Sequence, residues 1–243
     1  MPSEDNCDRP AVVESVTIEV APAPEPVIDV PAIADMTCGE AANFAAPTAT
    51  YSNGETGVCE ISGTIPGVVD ADFDECGGTI TVTWTVPSAD NCGRPAVVES
   101  VTIDVAPAPV PTIDVPAIAD VTCDEAANFA APTATYSNGE TGVCEIAGVI
   151  TPTVDNNFDE CGGTITVTWT VPSADNCGRP AVVESVTIDV APAPVPTIDV
   201  PAIADVTCGE AANFTAPAAS FSNGETGACA ISGTVPGLSL IHI

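Results

Sequence analysis

The sequence predicts an all-β chain of small two-sheet sandwiches. Three observations carry that expectation: an 85-residue repeat, strict alternation of apolar and polar side chains within it, and turn-forming residues between the short apolar runs. The cysteines show the period most plainly. They stand at 7, then 38, 59, 76 and 92, then 123, 144, 161 and 177, then 208 and 229, and adding 85 to any of the first seven gives another cysteine. Thr79–Val86 returns unchanged at Thr164–Val171, and Asn53–Gly57 returns from Asn138 and again from Asn223.

Thr79–Val86 places Ile80, Val82, Trp84 and Val86 on one face and four threonines on the other, the pattern of a half-buried strand. Trp84, with apolar neighbours in register, reads as core packing rather than a sugar platform. Val97–Val105 supplies a second strand, with a bulge expected near Glu99-Ser100, where the alternation slips by one. Shorter strands are expected at Ile28–Val30, before Cys38, at Thr48–Tyr51 and at Val58–Ile65, separated by Pro, Gly, Asn and Asp. No helical period of ten residues occurs. Several short strands in about 80 residues point to an immunoglobulin-like sandwich.

Proline-alanine stretches divide the chain. Residues 1–20 match the end of one repeat, 21–26 form a linker, 27–105 a complete repeat, 106–111 a linker, 112–190 a second complete repeat, 191–196 a linker, and 197–237 the beginning of another. Such runs favour polyproline II, so the expected organisation is separately folded beads on short stiff spacers. Met1 stands where Val86 and Val171 stand, so the natural N-terminus, with any signal peptide, is expected upstream. Residues 238–243 leave the repeat, resemble translated sequencing-adapter read-through, and are set aside from the fold.

Composition narrows the partners. The chain has 34 acidic residues against three arginines, no lysine, and a formal net charge of −31. A polyanion is repelled by phosphate backbones and anionic lipid headgroups, which argues against nucleic acid and membrane surfaces. Disorder is disfavoured because 45% of residues are apolar. No apolar run reaches the roughly 18 residues of a membrane-spanning helix. Eleven cysteines without close C-x2-C pairs point to disulfides in an oxidising, extracellular setting rather than to zinc.

A thin core makes covalent staples valuable. Cys76 and Cys92 flank one extended strand of roughly 25 Å and cannot bond. A sandwich of this kind would place Cys59 and Cys92 at one end and Cys38 and Cys76 at the other. The expected pairs are therefore Cys38–Cys76, Cys59–Cys92, Cys123–Cys161 and Cys144–Cys177, each contributing roughly 3–4 kcal/mol. Cys7, Cys208 and Cys229 are left over, their partners lying in the missing parts of the incomplete repeats.

Glu75-Cys76-Gly77-Gly78-Thr79-Ile80-Thr81-Val82-Thr83-Trp84-Thr85, with Asp90-Asn91-Cys92-Gly93 and Thr102-Ile103-Asp104-Val105, resembles the HYR-like, hyalin-repeat-type domains, in particular the four-cysteine variety. The likeness covers both complete repeats and both partial ones. It is specific at those strands and at Cys59–Gly63, and weaker over Asp35–Thr50. It implies an immunoglobulin-like fold, tandem arrays in long secreted or cell-surface proteins of Bacteroidota, a role in adhesion or as a stalk, and no catalytic residues.

Little else suggests chemistry. The single histidine is His242, and without lysine the usual nucleophile-and-base arrangements lack a base, so the chain reads as no enzyme. No glycine-rich phosphate loop is present. Asp70, Asp72 and Asp74, echoed by Asp155, Asn157 and Asp159, place oxygen ligands at alternating positions suited to Ca2+ in an acidic loop. The EF-hand pattern is incomplete, and the plainer reading is a solvated acidic loop with no cofactor. Asn213-Phe214-Thr215 fits a glycosylation sequon that the other copies lack. Asn53-Gly54 reads as a tight turn. Two functions stay open: a structural spacer whose partners are the neighbouring repeats, and a calcium-assisted adhesion module gripping a surface glycan or protein.

Overall fold

The computed structural model describes residues 4–7, 9–211 and 213–238. These residues form β-strands in several antiparallel sheets, with helix confined to single turns. The tail beyond Leu238, with His242, lies outside them.

The first complete repeat runs through β1 (Val27–Asp29), β2 (Met36–Thr37), the one-turn helix α1 (Cys38–Ala41), β3 (Thr48–Ser52), β4 (Ser62–Pro66), β5 (Val68–Asp74), β6 (Gly77–Val86) and β7 (Val97–Ala106). Its strands join in two sheets, ordered β1-β3-β4 and β2-β7-β6-β5. The next 85 residues repeat the plan as β8 (Thr112–Asp114), α2 (Cys123–Ala127), β9 (Ala134–Ser137), β10 (Ala147–Ile150), β11 (Thr153–Asp159), β12 (Gly162–Val171) and β13 (Val182–Val190). A third stretch supplies β14 (Thr197–Asp199), α3 (Cys208–Ala211), β15 (Ala219–Ser222) and β16 (Ser232–Val235) as one sheet.

The alternation read from the sequence sets the core. Ile80, Val82, Trp84 and Val86 on β6 are each at most 1% exposed, and so are Ile165, Val167, Trp169 and Val171 on β12. Around Trp169 the second core draws Ala134 and Ile150 from one sheet and Ile188 and Val190 from the other, closing a sandwich. Each tryptophan also fills a polar need: Trp84 Nε1–H donates to Pro47 O at 3.0 Å and Trp169 Nε1–H to Pro132 O at 3.1 Å. The ring thus ties its strand to the segment entering the opposite sheet.

Two local expectations are corrected. No bulge interrupts β13, the second copy of the strand in which one was expected: β12 and β13 pair without a break from Gly163↔Val190 to Val171↔Val182. The Val-Val doublet keeps its phase, and Val98 and Val183 are simply valines facing outward, each 54% exposed. The acidic segment is a strand rather than a loop. β11 pairs with β12 from Thr153↔Thr168 to Asp159↔Gly162, its charged residues tolerated because it lies at the sheet edge.

The chain divides into two compact units: Met1–Met36 with Asn43–Asp72 and Thr79–Val105, and Thr37–Ala42 with Phe73–Gly78 and Ala106–Ile243. They depart from the repeat boundaries at two places, because the short segments carrying Cys38 and Cys76 belong with the second unit. The stretch 106–111 is likewise no detached spacer. Ala108 is buried, its N–H donates to Glu75 O at 2.9 Å, and its carbonyl accepts from Arg179 Nη1 at 2.7 Å.

Trp169→Ala is expected to lower stability by about 3–5 kcal/mol in urea unfolding followed by circular dichroism. Trp169→Phe should cost less, about 1–3 kcal/mol, since it keeps most of the ring but strands the Pro132 carbonyl.

Candidate functional site

The second unit holds three disulfides: Cys38–Cys144, Cys76–Cys177 and Cys123–Cys229, with Cα separations of 5.8, 5.0 and 5.8 Å. Those distances suit unstrained bridges. The pairing overturns Cys38–Cys76, Cys123–Cys161 and Cys144–Cys177, and it leaves Cys59–Cys92 unformed. Cys7, Cys59, Cys92, Cys161 and Cys208 are free and exposed. Cys229, expected to lack a partner, has one.

The Cys38 and Cys76 segments lie together, but the two cysteines do not bond to each other. Cys38 Sγ lies 3.4 Å from Asp74 O, so the Cys38 and Cys76 segments do approach each other. Each of the two nevertheless bonds to a cysteine of the next copy. The helix cysteine joins the cysteine that ends the next copy's 3-10 turn, with a separation of 106 for both Cys38–Cys144 and Cys123–Cys229. Cys76, in the turn before β6, joins Cys177 at a separation of 101.

Local structure presents each sulfur. Thr122 caps α2: Glu125 N–H reaches Thr122 Oγ1 at 3.4 Å, and Glu125 Oε2 accepts from Thr122 N–H at 2.9 Å and Oγ1–H at 2.8 Å. Thr37 and Glu40 repeat the arrangement at α1. This reciprocal box fixes the turn in which Cys38 and Cys123 stand buried. The hydrogen bonds from the threonine hold the Glu40 and Glu125 carboxyls below the ordinary value of 4.5.

Cys144 is set by Asn138, whose Nδ2–H donates to Cys144 O at 2.8 Å and whose Oδ1 accepts from Ile146 N–H at 3.1 Å. Cys177 ends the 3-10 turn Ser173–Asn176 in the left-handed region, φ 55°, a conformation uncommon for a residue with a Cβ. The buried Asn176 side chain donates to Pro180 O at 2.9 Å, and Arg179 Nε–H donates to Asn176 O at 3.1 Å. Together they brace the turn that carries Cys177.

Sequence reasoning missed the capping threonine and glutamate, although Thr122-Cys123-Asp124-Glu125 carries the T-x-x-E signature of a helix start. It also missed Asn176 and Arg179, whose roles depend on a turn with no distinctive local pattern. Beside the Cys76–Cys177 bridge, a cleft of about 210 Å3 is lined by Glu75, Tyr136, Glu145 and Asp175, among others. Burial, then the Asp175 charge, raises the Tyr136 phenol above its ordinary value and keeps it protonated.

The expected calcium ligands do not converge. Asp70, Asp72 and Asp74 lie along β5, and Asp155, Asn157 and Asp159 along β11. Alternate strand residues on one face stand roughly 7 Å apart, too far for three to meet at one ion with bonds of about 2.4 Å. Among the described residues, no group of three His, Cys, Asp or Glu side chains could hold a metal ion. No described helix is long and apolar enough to cross a membrane. Compared with known proteins, the chain matches no family model and no curated sequence.

A non-reducing peptide map is expected to recover the three bridges. Cys144→Ala should free Cys38 to alkylation while Cys76–Cys177 and Cys123–Cys229 persist. A loop of this length restricts the unfolded chain by about 4.7 kcal/mol, an upper bound on the loss because the loops overlap. The capping boxes add a pH dependence. With the folded carboxyl below 4.5, their stabilisation is complete above that value and fades as pH falls through the lowered one. Thermal melts between pH 5 and 3 should therefore be flatter in Glu40→Gln/Glu125→Gln than in the parent.

Proposed function

We propose that the chain is a structural spacer from an extracellular or cell-surface protein, a stretch of stalk in which each module is bolted to the next. The observation that carries this reading is the step of the disulfides: every bridge joins a cysteine to one in the next copy of the repeat, 101 or 106 residues further along. A protein that only needed to stabilise each sandwich would be served by bridges inside it. Bridges across the boundary fix the spacing of successive modules, which is what a stalk requires.

The mechanical consequence is direct. A tension entering at Cys38 crosses to Cys144, runs back to Cys123, crosses to Cys229 and leaves, so only about 21 residues of backbone between Cys38 and Cys229 can be drawn out. Without the bridges, about 190 residues would extend. At about 3.4 Å per residue these are about 70 Å and about 650 Å. The oxidised chain behaves as a short tether whatever happens to its hydrogen bonds.

Persistent disulfides belong to oxidising compartments, which supports an extracellular setting. The resemblance to HYR-like domains of Bacteroidota surface proteins points the same way. The described residues contain neither histidine nor lysine, and the carboxylates and protonated phenol of the cleft stand beside a Cys177 sulfur that is held in a disulfide rather than free as a thiol. The chain is therefore read as no enzyme. The calcium-assisted adhesion reading loses the loop on which its metal depended.

Single-molecule stretching between the termini tests the proposal. The oxidised chain should release no more than about 70 Å between Cys38 and Cys229, and the reduced chain about 650 Å. Equal extensions in the two states would remove the basis of the stalk.

A further inference from the structure

We infer that Cys76–Cys177 is a thiol-accessible redox site: small thiols, cationic ones foremost, open it, and it closes again in the same pairing, while Cys38–Cys144 and Cys123–Cys229 stay shut. The inference rests on burial and local geometry and stands whether or not the chain serves as a stalk.

Access separates the three bridges. Cys38, Cys123, Cys144 and Cys229 are each at most 1% exposed. Cys76 is exposed and Cys177 half-buried. Thiol–disulfide exchange requires a thiolate to reach one of the two sulfurs, so a bridge buried on both sides reacts only after the surrounding structure opens. An entry lies beside the accessible bridge, for Cys177 forms part of the wall of the cleft of about 210 Å3.

The cleft also selects among thiols. Glu75, Glu145 and Asp175 line it, and Asp74 Oδ1 accepts from the Cys76 N–H at 2.7 Å, so four carboxylates surround the bridge. The one cation of the turn, Arg179, directs Nε and Nη1 to the Asn176 and Ala108 carbonyls. A thiolate carrying a second negative charge is repelled by this field. One whose own ammonium group offsets the sulfur is not.

Reclosure is prepared by structure that does not depend on the bond. Cys92 and Cys161 are unbonded copies of Cys177 and Cys76, and they show how each turn stands with a free sulfur. Cys92 has φ 53° beside 55° at Cys177, and Asn91 Nδ2–H donates to Pro95 O at 2.8 Å as Asn176 does to Pro180 O. Cys161 N–H donates to Asp159 Oδ1 at 2.7 Å, as Cys76 N–H does to Asp74. A clamp free of sulfur then joins the two turns: Ala108 N–H donates to the carbonyl of Glu75, next to Cys76, and Ala108 O accepts from Arg179, two residues beyond Cys177. The freed thiols therefore stay neighbours, at a high effective concentration for each other.

Opening consumes two equivalents of thiol. The first thiolate attacks the exposed Cys76 sulfur, the bridge breaks, and Cys177 leaves as a thiolate that takes up a proton. A second thiolate attacks the small-molecule sulfur of the mixed disulfide and expels the Cys76 thiolate, which is protonated in turn. The products are one small disulfide and two protein thiols, and an excess of a small disulfide drives the reverse. The covalent path from Cys38 through Cys144 and Cys123 to Cys229 does not run through this bridge, so it survives the opening.

The test uses the full oxidised chain with its five exposed thiols first blocked by N-ethylmaleimide. Limited treatment with cysteamine followed by iodoacetamide should label Cys76 and Cys177 together, at least about tenfold faster than the other four bonded cysteines. At low salt cysteamine should open the bridge about tenfold faster than 3-mercaptopropionate, each rate scaled to that thiol's rate on hydroxyethyl disulfide, and molar salt should bring the ratio towards one. After removal of the reductant, hydroxyethyl disulfide should restore Cys76–Cys177 in the peptide map. Equal labelling of the three bridges, earlier opening of either buried one, indifference to the charge of the thiol at low salt, or failure of Cys76 and Cys177 to pair again would each overturn the inference.

Discussion

A bridge between Cys38 and Cys144 requires that a one-turn helix of one repeat and a 3-10 turn of the following one be held with their Cα atoms 5.8 Å apart. Much of the local chemistry serves that requirement. The Thr-Glu capping box stops the helix turn from fraying. Asn138 pins the turn that ends at Cys144, and the Asn176–Pro180 bond with Arg179 holds Cys177 in a backbone conformation it would otherwise avoid. Because the same devices recur every 85 residues, the constraint propagates along the chain rather than closing on itself.

The cores explain why such a constraint is useful. Each sandwich buries one tryptophan and a row of β-branched residues, with an alanine, Ala49 or Ala134, on the facing sheet. Small sandwiches of this kind bury little apolar surface, so restricting the unfolded chain matters as much as filling the folded one. A bridge to the next repeat closes a loop of 106 residues where one inside the repeat would close about 40, and loop-closure entropy grows with length. The cross-module register therefore gains in stability as well as in spacing, and it couples the unfolding of one sandwich to that of its neighbour.

The fold was legible because its signals are local. Alternation over Thr79–Val86 predicts the buried face of β6 residue by residue, and the tryptophan's place in the core follows from it. The acidic strands β5 and β11 were illegible because an edge strand exposed on both faces lacks the apolar alternation that marks a strand; Asp70, Asp72 and Asp74 look like a loop until their partner is seen. The disulfide register was hidden by the repeat itself. When every copy carries the same four cysteines, a bond within a copy and a bond to the next copy connect identical residue types in identical surroundings. Only the three-dimensional direction in which the Cys38 helix turn faces separates them, and composition carries no trace of that direction.

Charge gives the cross-links a second purpose. With 34 acidic residues and three arginines, adjoining modules repel one another, and that repulsion favours separation at low ionic strength. Arg94 and Arg179 are not used to neutralise carboxylates. Each places its guanidinium on backbone carbonyls of the proline-alanine stretch that precedes its own repeat, Ala23 and Pro24 for Arg94 and Ala108 for Arg179. A planar donor fork can grip several carbonyls at once, whereas ion pairs at an exposed surface would contribute little. The scarce cations therefore stiffen the connections, the covalent bonds resist the repulsion, and the uncompensated negative charge is left to keep the surface of the array hydrated and apart from other polyanions.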